Sequence, residues 1–252
     1  MQRDTVKKKY EKGGFGETIR TVVYAVLIAL VIRTFAYEPF NIPSESMLPT
    51  LLVGDYLFVS KYSYGYSRYS LPWGLPLFNG RILKSEPRRG DVAVFKLPSD
   101  NSTDYIKRIV GLPGDRVQML DGKLHVNGEA VAKERTSDFI YERGGQRFRV
   151  PRFVESLPDG PQHNTLDFIA SGDHDTTQEW VVPAGHYFAM GDNRDNSLDS
   201  RARGGVGMVP AQNLVGRAEF LFFSTDGSAK IWEIWRWPFA IRFKRLFQEV
   251  SD

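Results

Sequence analysis

The chain has 252 residues, enough for one large domain or two small ones, and 42% of them are hydrophobic while 25% are charged. This ordinary globular mixture excludes wholesale disorder, and the dispersed basic residues, with a formal net charge of +3, do not argue for a nucleic-acid partner. The sequence contains no cysteine, which excludes disulfides, thiolate metal sites and a cysteine nucleophile.

The N-terminal region contains the one strongly apolar run of the sequence, residues 22–32. Extended to residues 19–37, it approaches the ~20 residues that span a bilayer, so we predict a transmembrane anchor there. Lysines and arginines precede it, and the positive-inside rule then keeps residues 1–18 cytoplasmic and translocates everything after the anchor. A cleavable signal peptide and a buried soluble helix are the alternatives, although residues 34–36 form a poor cleavage site.

Beyond the anchor, short segments rich in Val, Ile, Phe and Tyr predict a mainly β protein. The predicted strands are 55–61, 91–97, 104–111 and 215–223. We assign them to a β core made of residues 38–115 and 183–230.

A ribbon and a cap are predicted between the two parts of the core, at residues 116–182. Asp-Gly and Asn-Gly pairs at 121–122 and 127–128 flank residues 123–126, and such pairs favour tight hairpin turns. Residues 139–177 are polar and hold two of the four histidines, so they are expected to be a loop-rich insertion.

The C-terminal segment, residues 231–252, interleaves aromatic with basic residues. Rings at headgroup depth with basic partners suit a segment that lies at a membrane interface. Pro238 interrupts any single helix through it. The alternative is a segment that closes the domain by packing on its own core.

Common catalytic signatures are missing from the sequence. It has no Gly-x-Ser-x-Gly, Ser-x-x-Lys, Gly-x-x-x-x-Gly-Lys or His-Glu-x-x-His, which argues against α/β-hydrolases, penicillin-binding enzymes, P-loop ATPases and zinc helices. We therefore expect no cofactor and no metal. A Ser-His-Asp triad lacks an obvious base, because His186, outside the cap, is expected to be structural.

A serine-rich turn, Pro-Ser-Glu-Ser-Met at residues 43–47, follows the anchor and could supply a nucleophile. A neutral lysine can activate a serine, but its reference pKa of ~10.4 must fall by about 3 units. Desolvation by apolar walls does this, so the base should lie in an apolar strand. Lys107, in Tyr-Ile-Lys-Arg-Ile-Val, fits that requirement; a solvated strand lysine is the alternative.

A dense polar run at residues 191–201 is the third candidate for chemistry. It lacks the spacing of an EF-hand calcium loop and has no closing glutamate. It could be a solvated turn. It could also be a hydrogen-bonded loop beside a site, in which Ser197 holds the lysine and Asp199 pairs with Arg201.

In this order and behind an anchor, the blocks at 43–51, 90–92, 105–115 and 191–201 resemble bacterial type I (leader) signal peptidases. The resemblance extends from about residue 33 to residue 223. It implies a signal-peptidase-like β-sheet or barrel catalytic core with a β-ribbon cap insertion, behind one N-terminal transmembrane helix. It also implies a membrane-bound serine endopeptidase that removes N-terminal signal peptides from exported preproteins after small-x-small residues.

Carried over residue by residue, the resemblance implies a Ser/Lys dyad in which Ser46 is the nucleophile and Lys107 is the general base. The Ser46 backbone N–H and the Ser44 hydroxyl would form the oxyanion hole. The residues that would orient the dyad are Ser197, Asp199 and Arg201. The residues that would bind substrate are Phe40, Ile42, Pro43, Met47, Leu51, Asp104, Tyr105 and Ile106.

The same resemblance implies a single-pass protein of the bacterial plasma (inner) membrane, with the catalytic domain on the outer or periplasmic face. Its expected partners are preprotein signal peptides and the lipid bilayer, not nucleic acid, and the chain is expected to be monomeric. One departure is Glu45, where many members carry glycine. Self-cleaving repressors use the same chemistry but need a DNA-binding domain; a non-catalytic membrane-tethered β-scaffold is a further hypothesis.

Overall fold

A computed structural model of the chain describes residues 15–71, 74–75, 77–143, 146–169, 171–230 and 232–250. Most of the predicted cytoplasmic segment therefore lies outside the described residues. So do residues 231, 251 and 252 of the predicted C-terminal segment.

The N-terminal helix, α1, runs from Phe15 to Phe35. Its apolar side chains are exposed on all sides, so no stripe faces a protein core. Within the described part of the chain it is the one helix long and apolar enough to cross a membrane. It ends two residues before the predicted limit of the anchor because Tyr37 already pairs with Ser60 as part of a strand.

The rest of the regular structure is mainly β, which confirms the predicted fold class. The strands are β1 Tyr37–Asn41, β2 Asp55–Ser60, β3 Val92–Lys96, β4 Asp104–Gly111, β5 Arg116–Leu120, β6 Lys123–Val126, β7 Glu129–Ala130, β8 Ala132–Arg135, β9 Phe139–Arg143, β10 Gln146–Val150, β11 Arg152–Ser156, β12 Gln162–Leu166, β13 Trp180–Val181, β14 His186–Met190, β15 Val209–Pro210 and β16 Leu214–Ser224. The short helices are α2 Trp237–Ala240 and 3₁₀ turns at Arg68–Ser70, Arg194–Asn196, Ala211–Asn213 and Phe243–Arg245.

The main sheet has seven strands in the order β1-β2-β16-β3-β4-β14-β15, and every pairing in it is antiparallel. Strand β16, although late in the chain, lies between β2 and β3. Alternate residues of these strands, among them Leu57, Val59, Val94 and Leu221, are buried in one core.

Besides β15 at the far end of the sheet, two strand edges have no neighbour among the described residues. β1 pairs only with β2, and β4 pairs with β14 only from Arg108 onwards, so residues 104–107 are paired on one side alone. Free edges of this kind can accept an additional strand.

The predicted ribbon is present as the hairpin of β5 and β6. At its turns Asp121 and Asn127 have φ of 47° and 55°, and the glycines that follow have φ of 71° and 85°. Positive φ at both central positions is the geometry of a type I′ turn, so the two predicted turns are confirmed.

The prediction of a loop-rich segment at residues 139–177 is wrong, because β9 to β12 lie within it. β11 pairs with both β12 and β8, while β9 and β10 form a separate hairpin. The segment looks polar in sequence because charged and polar groups such as Glu155 and Thr165 are buried there and hydrogen-bonded to partners. The division of the chain into a core and an insertion at 116–182 remains a prediction.

The C-terminal segment is attached to the main sheet while its rings remain exposed. Arg245 forms an ion pair of 2.6 Å with the buried Asp55, and the Val250 N–H donates to the Glu219 carbonyl at 2.9 Å. The exposed rings are Trp232, Trp235, Trp237, Phe239, Phe243 and Phe247. The segment is thus joined to β2 and β16 of the main sheet, and its aromatic side chains are exposed.

Candidate active site

The serine turn follows shortly after β1 and is held against the core by Met47 and Leu51. Met47 and Leu51 are 1% and 0% exposed, and the Leu51 N–H donates to the Met47 carbonyl at 2.9 Å. This packing holds Ser46 at the surface of the core, where 8% of it is exposed. Met47 and Leu51, both expected to bind substrate, lie beneath the turn and are absent from the lining of the cleft.

Lys107 lies on β4 and is 3% exposed. Its Nζ atom is 2.7 Å from Ser46 Oγ and 2.9 Å from the Ile106 carbonyl oxygen. The ring of Tyr105 lies alongside, with its centroid 5.5 Å from Nζ. The two side chains singled out from sequence, 61 residues apart, are therefore in direct contact.

Burial lowers the pKa of Lys107 from 10.5 to about 8, although the negative charges of Asp199 and Asp192 act in the opposite direction. A lysine with this pKa is largely neutral in mildly alkaline solution. Neutral Nζ has a lone pair, so it can take a proton from a hydroxyl at hydrogen-bond distance.

Gly191 determines how closely the polar loop can approach the serine turn. A Cβ atom at this position would lie 2.5 Å from the Ser46 carbonyl oxygen and 2.2 Å from Ser197 Oγ. The backbone here has an ordinary φ, so the restriction is purely steric. Only glycine lets the loop and the turn pack together at this point.

Replacing Gly191 by alanine is therefore expected to move Ser46 relative to Lys107 and to lower kcat/KM by ~10²-fold, the effect of a displacement of about 1 Å at a reacting group. Steady-state kinetics would measure it. Gly16→Ala is the matched control, since a Cβ there has nothing within 4 Å. Equal activity of the two variants would contradict the steric argument.

Asp199 and Arg201 form a buried, two-contact ion pair, as the sequence interpretation expected of their positions. Arg201 Nε and Nη2 lie 3.0 Å and 2.8 Å from the two carboxylate oxygens, and the Gly191 N–H also donates to Asp199 at 3.0 Å. Burial alone would raise the pKa of Asp199, but the Arg201 charge and these hydrogen bonds hold it below its usual value.

Ser197 does not make the expected hydrogen bond to Lys107. Its Oγ is buried and has no hydrogen-bond partner among the described residues. Ser197 nevertheless lies in the wall of the same cleft as the lysine. Its role in orienting Lys107 remains a prediction.

Asp192 joins three parts of the chain beneath the site, and sequence reasoning missed its role. It accepts hydrogen bonds from Arg108 Nε and Nη2 at 2.9 Å and 2.8 Å and from Thr50 Oγ1 at 2.6 Å. Burial favours a raised pKa for Asp192, but Arg108 outweighs it and the pKa is lowered. The carboxylate stays charged and connects the polar loop to Arg108 on β4 and to Thr50, just after the serine turn.

Glu155 was also missed, because it lies on β11, within the segment expected to be loop. Its carboxylate receives both terminal nitrogens of Arg194 at 2.7 Å each, and the pair is buried. Arg194 also donates to the Gly191 carbonyl at 3.2 Å. No motif marks Glu155, since an isolated glutamate in a short strand usually faces solvent.

Ser46 and Lys107 lie in a cleft of about 670 Å³, between the free edges of β1 and β4. Predicted site residues that line it are Phe40, Ile42, Pro43, Ser44, Ser46, Asp104, Tyr105, Ile106, Lys107 and Ser197. Lining residues that sequence reasoning did not assign are Asn41, Glu45, Val94, His174, Asp195, Asn196 and Leu198. Ser44 Oγ lies 3.3 Å from Ser46 Oγ, on the same wall.

A second cavity, of about 580 Å³, adjoins this cleft at the end of α1. Phe40 and Asp104 belong to the walls of both. Arg33 and Thr34, from the last turn of the helix, line the second cavity. The cleft therefore extends from the serine turn towards the end of the apolar helix.

Comparison with known proteins gives the family. Residues 15–223 match the family described as signal peptidase, peptidase S26. Signal peptidase I of Rickettsia conorii is 40% identical over 269 residues, and that of Rickettsia typhi is 38% identical over 270, each covering 100% of this chain and 99% of the relative. A signal peptidase I structure from Enterococcus faecalis V583 is 23% identical, covers 53% of this chain and 97% of its own, and has a TM-score of 0.31.

The matched family is one of peptidases, so the cleft and its buried lysine belong to a peptidase fold. The chain belongs to the signal peptidase family, peptidase S26, a membership that rests on the full-length relatives and on the family match.

Proposed function

We propose that this protein is a membrane-anchored serine endopeptidase that removes N-terminal signal peptides from exported preproteins, with Ser46 as nucleophile and Lys107 as general base. The contact that carries the proposal is the 2.7 Å approach of Lys107 Nζ to Ser46 Oγ. Burial of the lysine supports it, because a base needs a lone pair near the working pH and burial lowers the pKa of Lys107 to about 8.

Neutral Lys107 accepts the Ser46 hydroxyl proton as Oγ attacks the carbonyl carbon of the scissile peptide bond. The tetrahedral intermediate collapses to an acyl-enzyme when Lys107 returns the proton to the leaving amine. Water then enters, and Lys107 takes one of its protons as the water oxygen attacks the ester carbon. The bond from that carbon to Ser46 Oγ breaks, Lys107 returns the proton to Oγ, and the signal peptide leaves with a new carboxyl group.

The developing oxyanion needs donors on the side of the carbonyl that faces the serine turn. The Ser46 backbone N–H and the Ser44 hydroxyl are the donors that we assign to it. Ser44 Oγ, 3.3 Å from Ser46 Oγ, is close enough to reach the same carbonyl group. Loss of one such donor usually costs ~10²–10³ in rate.

Substrate is expected to enter as an extended strand between β1 and β4. Both edges lack a neighbour there among the described residues, and backbone hydrogen bonds to an added strand hold it without regard to sequence. Specificity then depends on the side-chain pockets. Large side chains on the walls leave room for small substrate residues, in keeping with cleavage after small-x-small: Phe40, Ile42, Tyr105 and Ile106.

The position in the membrane follows from α1 and from the positive charge of the residues that precede it. With the N-terminus cytoplasmic, the β core lies on the outer or periplasmic face of the bacterial plasma membrane, as a single-pass protein. A signal peptide spans the same bilayer, so its cleavage site emerges at the depth of the cleft. Anchoring by α1 would therefore hold the cleft at the depth where the cleavage site leaves the bilayer.

The pH dependence of preprotein cleavage tests this proposal. Only neutral Lys107 is active, so kcat/KM should fall about tenfold per pH unit below the pKa of about 8 and level off above it. Cleavage of a preprotein by the detergent-solubilised full chain, followed by mass spectrometry of the product, would measure the profile. A flat profile from pH 6 to 9, or absence of cleavage, would overturn the assignment.

A further inference from the structure

Glu45, between the two serines, is the residue of the serine turn to which the reaction itself gives no role. Its backbone carbonyl accepts from Asn193 Nδ2 at 3.0 Å, and its Oε2 lies 3.4 Å from Asn196 Nδ2. Both asparagines belong to the polar loop. The side chain is therefore directed along the wall of the cleft where that loop lies, next to the nucleophile.

The orientation of a bound substrate can be inferred from the two ends of the cleft. One end, at Phe40 and Asp104, opens towards the cavity lined by Arg33 and Thr34 at the end of α1. A signal peptide comes from the same membrane as α1, so the residues before the scissile bond occupy that end. The residues after the scissile bond then pass Glu45 and the polar loop as they leave.

The two ends differ in charge. The cavity near α1 is lined by four basic residues, Arg33, Lys61, Arg68 and Lys96, against two acidic ones, Glu38 and Asp104. The opposite end of the cleft has Glu45 and Asp195 in its wall, without a lysine or arginine among the described lining residues beyond Lys107 itself.

Two further carboxylates lie next to Asp195, and one of them, Asp167, is paired with Lys133. Oxygen atoms of Asp167, Asp175 and Asp195 lie within 4.8 Å of one another. Burial and the two neighbouring carboxylates raise the pKa of Asp195, although the N–H groups of Phe168 and Ile169 partly oppose this. Of the two carboxylates at this end of the cleft, Glu45 is adjacent to Ser46 in sequence and is half-buried, whereas Asp195 lies on the polar loop. Glu45 is thus the better placed of the two to act on substrate.

We propose that Glu45 makes this enzyme favour preproteins with a cationic residue in the first positions of the mature part and disfavour those with an acidic residue there. The proposal rests on the proposed function, because it uses the position of the scissile bond at Ser46. It assigns Glu45 to substrate selection on the side of the cleft that releases the mature protein.

The size of the effect follows from charge pairs at partly exposed sites. One such pair contributes less than about 1 kcal/mol, which is up to ~5-fold in a rate ratio. Comparing lysine with glutamate adds attraction to repulsion, so we expect kcat/KM for the lysine substrate to exceed that for the glutamate substrate by ~5–10-fold. Salt should reduce this ratio, because partly exposed charges are screened.

The experiment uses one preprotein in three forms, with lysine, alanine or glutamate at the second residue after the cleavage site, and the full-length enzyme in detergent. Mass spectrometry of the products establishes that the same bond is cut. We expect Glu45→Gln to bring the lysine-to-glutamate ratio of kcat/KM close to 1 and Glu45→Lys to invert it. Circular dichroism of each variant checks that it is folded.

Glu129→Gln is the matched control, since it removes the same charge from an exposed position on the ribbon. It should retain the wild-type ratio. A wild-type ratio of 1, or a preference that persists in Glu45→Gln, would overturn the inference while leaving the proposed function intact. Failure of the proposed function is recognised separately, by lack of cleavage of all three substrates or by full activity of Ser46→Ala.

Discussion

Lys107→Arg is expected to lower kcat/KM for preprotein cleavage by ~10²–10⁴-fold, the usual range for loss of a general base. Arginine keeps the positive charge and much of the length of lysine, but its guanidinium does not become neutral in a protein. Ser46→Ala should lose at least as much, and the double variant should be no worse than the single ones because the two groups act as one unit.

Lys123→Arg is the control for this prediction, because it makes the same change at an exposed position on the ribbon and should leave kcat/KM unaltered. Rates of cleavage of a purified preprotein would be compared at pH 9, where wild-type Lys107 is mostly neutral. Activity of Lys107→Arg within tenfold of the wild type would show that another group is the base.

Glu155→Gln is expected to lower the free energy of unfolding by ~3–5 kcal/mol. The substitution keeps shape and size but leaves the buried Arg194 without its counter-charge, and both side chains are at most 2% exposed. Activity should fall as well, since Arg194 donates to the Gly191 carbonyl and its own carbonyl accepts from Arg201 Nη2 at 2.7 Å. Urea titration in mild detergent, followed by tryptophan fluorescence, would measure the change.

Glu179→Gln provides the comparison, because Glu179 also pairs with an arginine, but that partner, Arg116, has a side chain that is 61% exposed. An exposed pair contributes less than about 1 kcal/mol, so this variant should unfold at nearly the wild-type urea concentration. Equal losses in the two variants would mean that burial does not decide the strength of the Glu155–Arg194 pair.

The parts of the fold that sequence predicts well are those with strong local patterns. Strand β4 was predicted with the bounds that the structure has, since Tyr-Ile-Lys-Arg-Ile-Val is β-branched and aromatic around its charged pair. The ribbon turns were predicted because positive φ at 121 and 127 suits Asp and Asn followed by glycine. In both cases neighbouring residues alone determine the conformation.

The parts that sequence misses depend on partners far along the chain. Glu155 is buried only because Arg194, 39 residues later, neutralises it, and nothing around Glu155 in sequence shows that. Asp192 likewise has its partners 84 and 142 residues away, at Arg108 and Thr50. The need for a desolvated base made Lys107 a candidate, and the resemblance to a family then paired it with Ser46; their catalytic roles stay predictions.

The central position of β16 has a consequence for when the enzyme can become active. β2 pairs only with β1 and β16, and β3 only with β16 and β4, so the described sheet without β16 would consist of two separate halves. Ser46 lies between β1 and β2 of the first half, and Lys107 lies on β4 of the second. Contacts between residues so distant in sequence form late, because closing long loops costs entropy before it is compensated. The two halves of the sheet are thus brought into register only after residues 214–224 have been made, so we expect a chain that stops before β16 to lack peptidase activity.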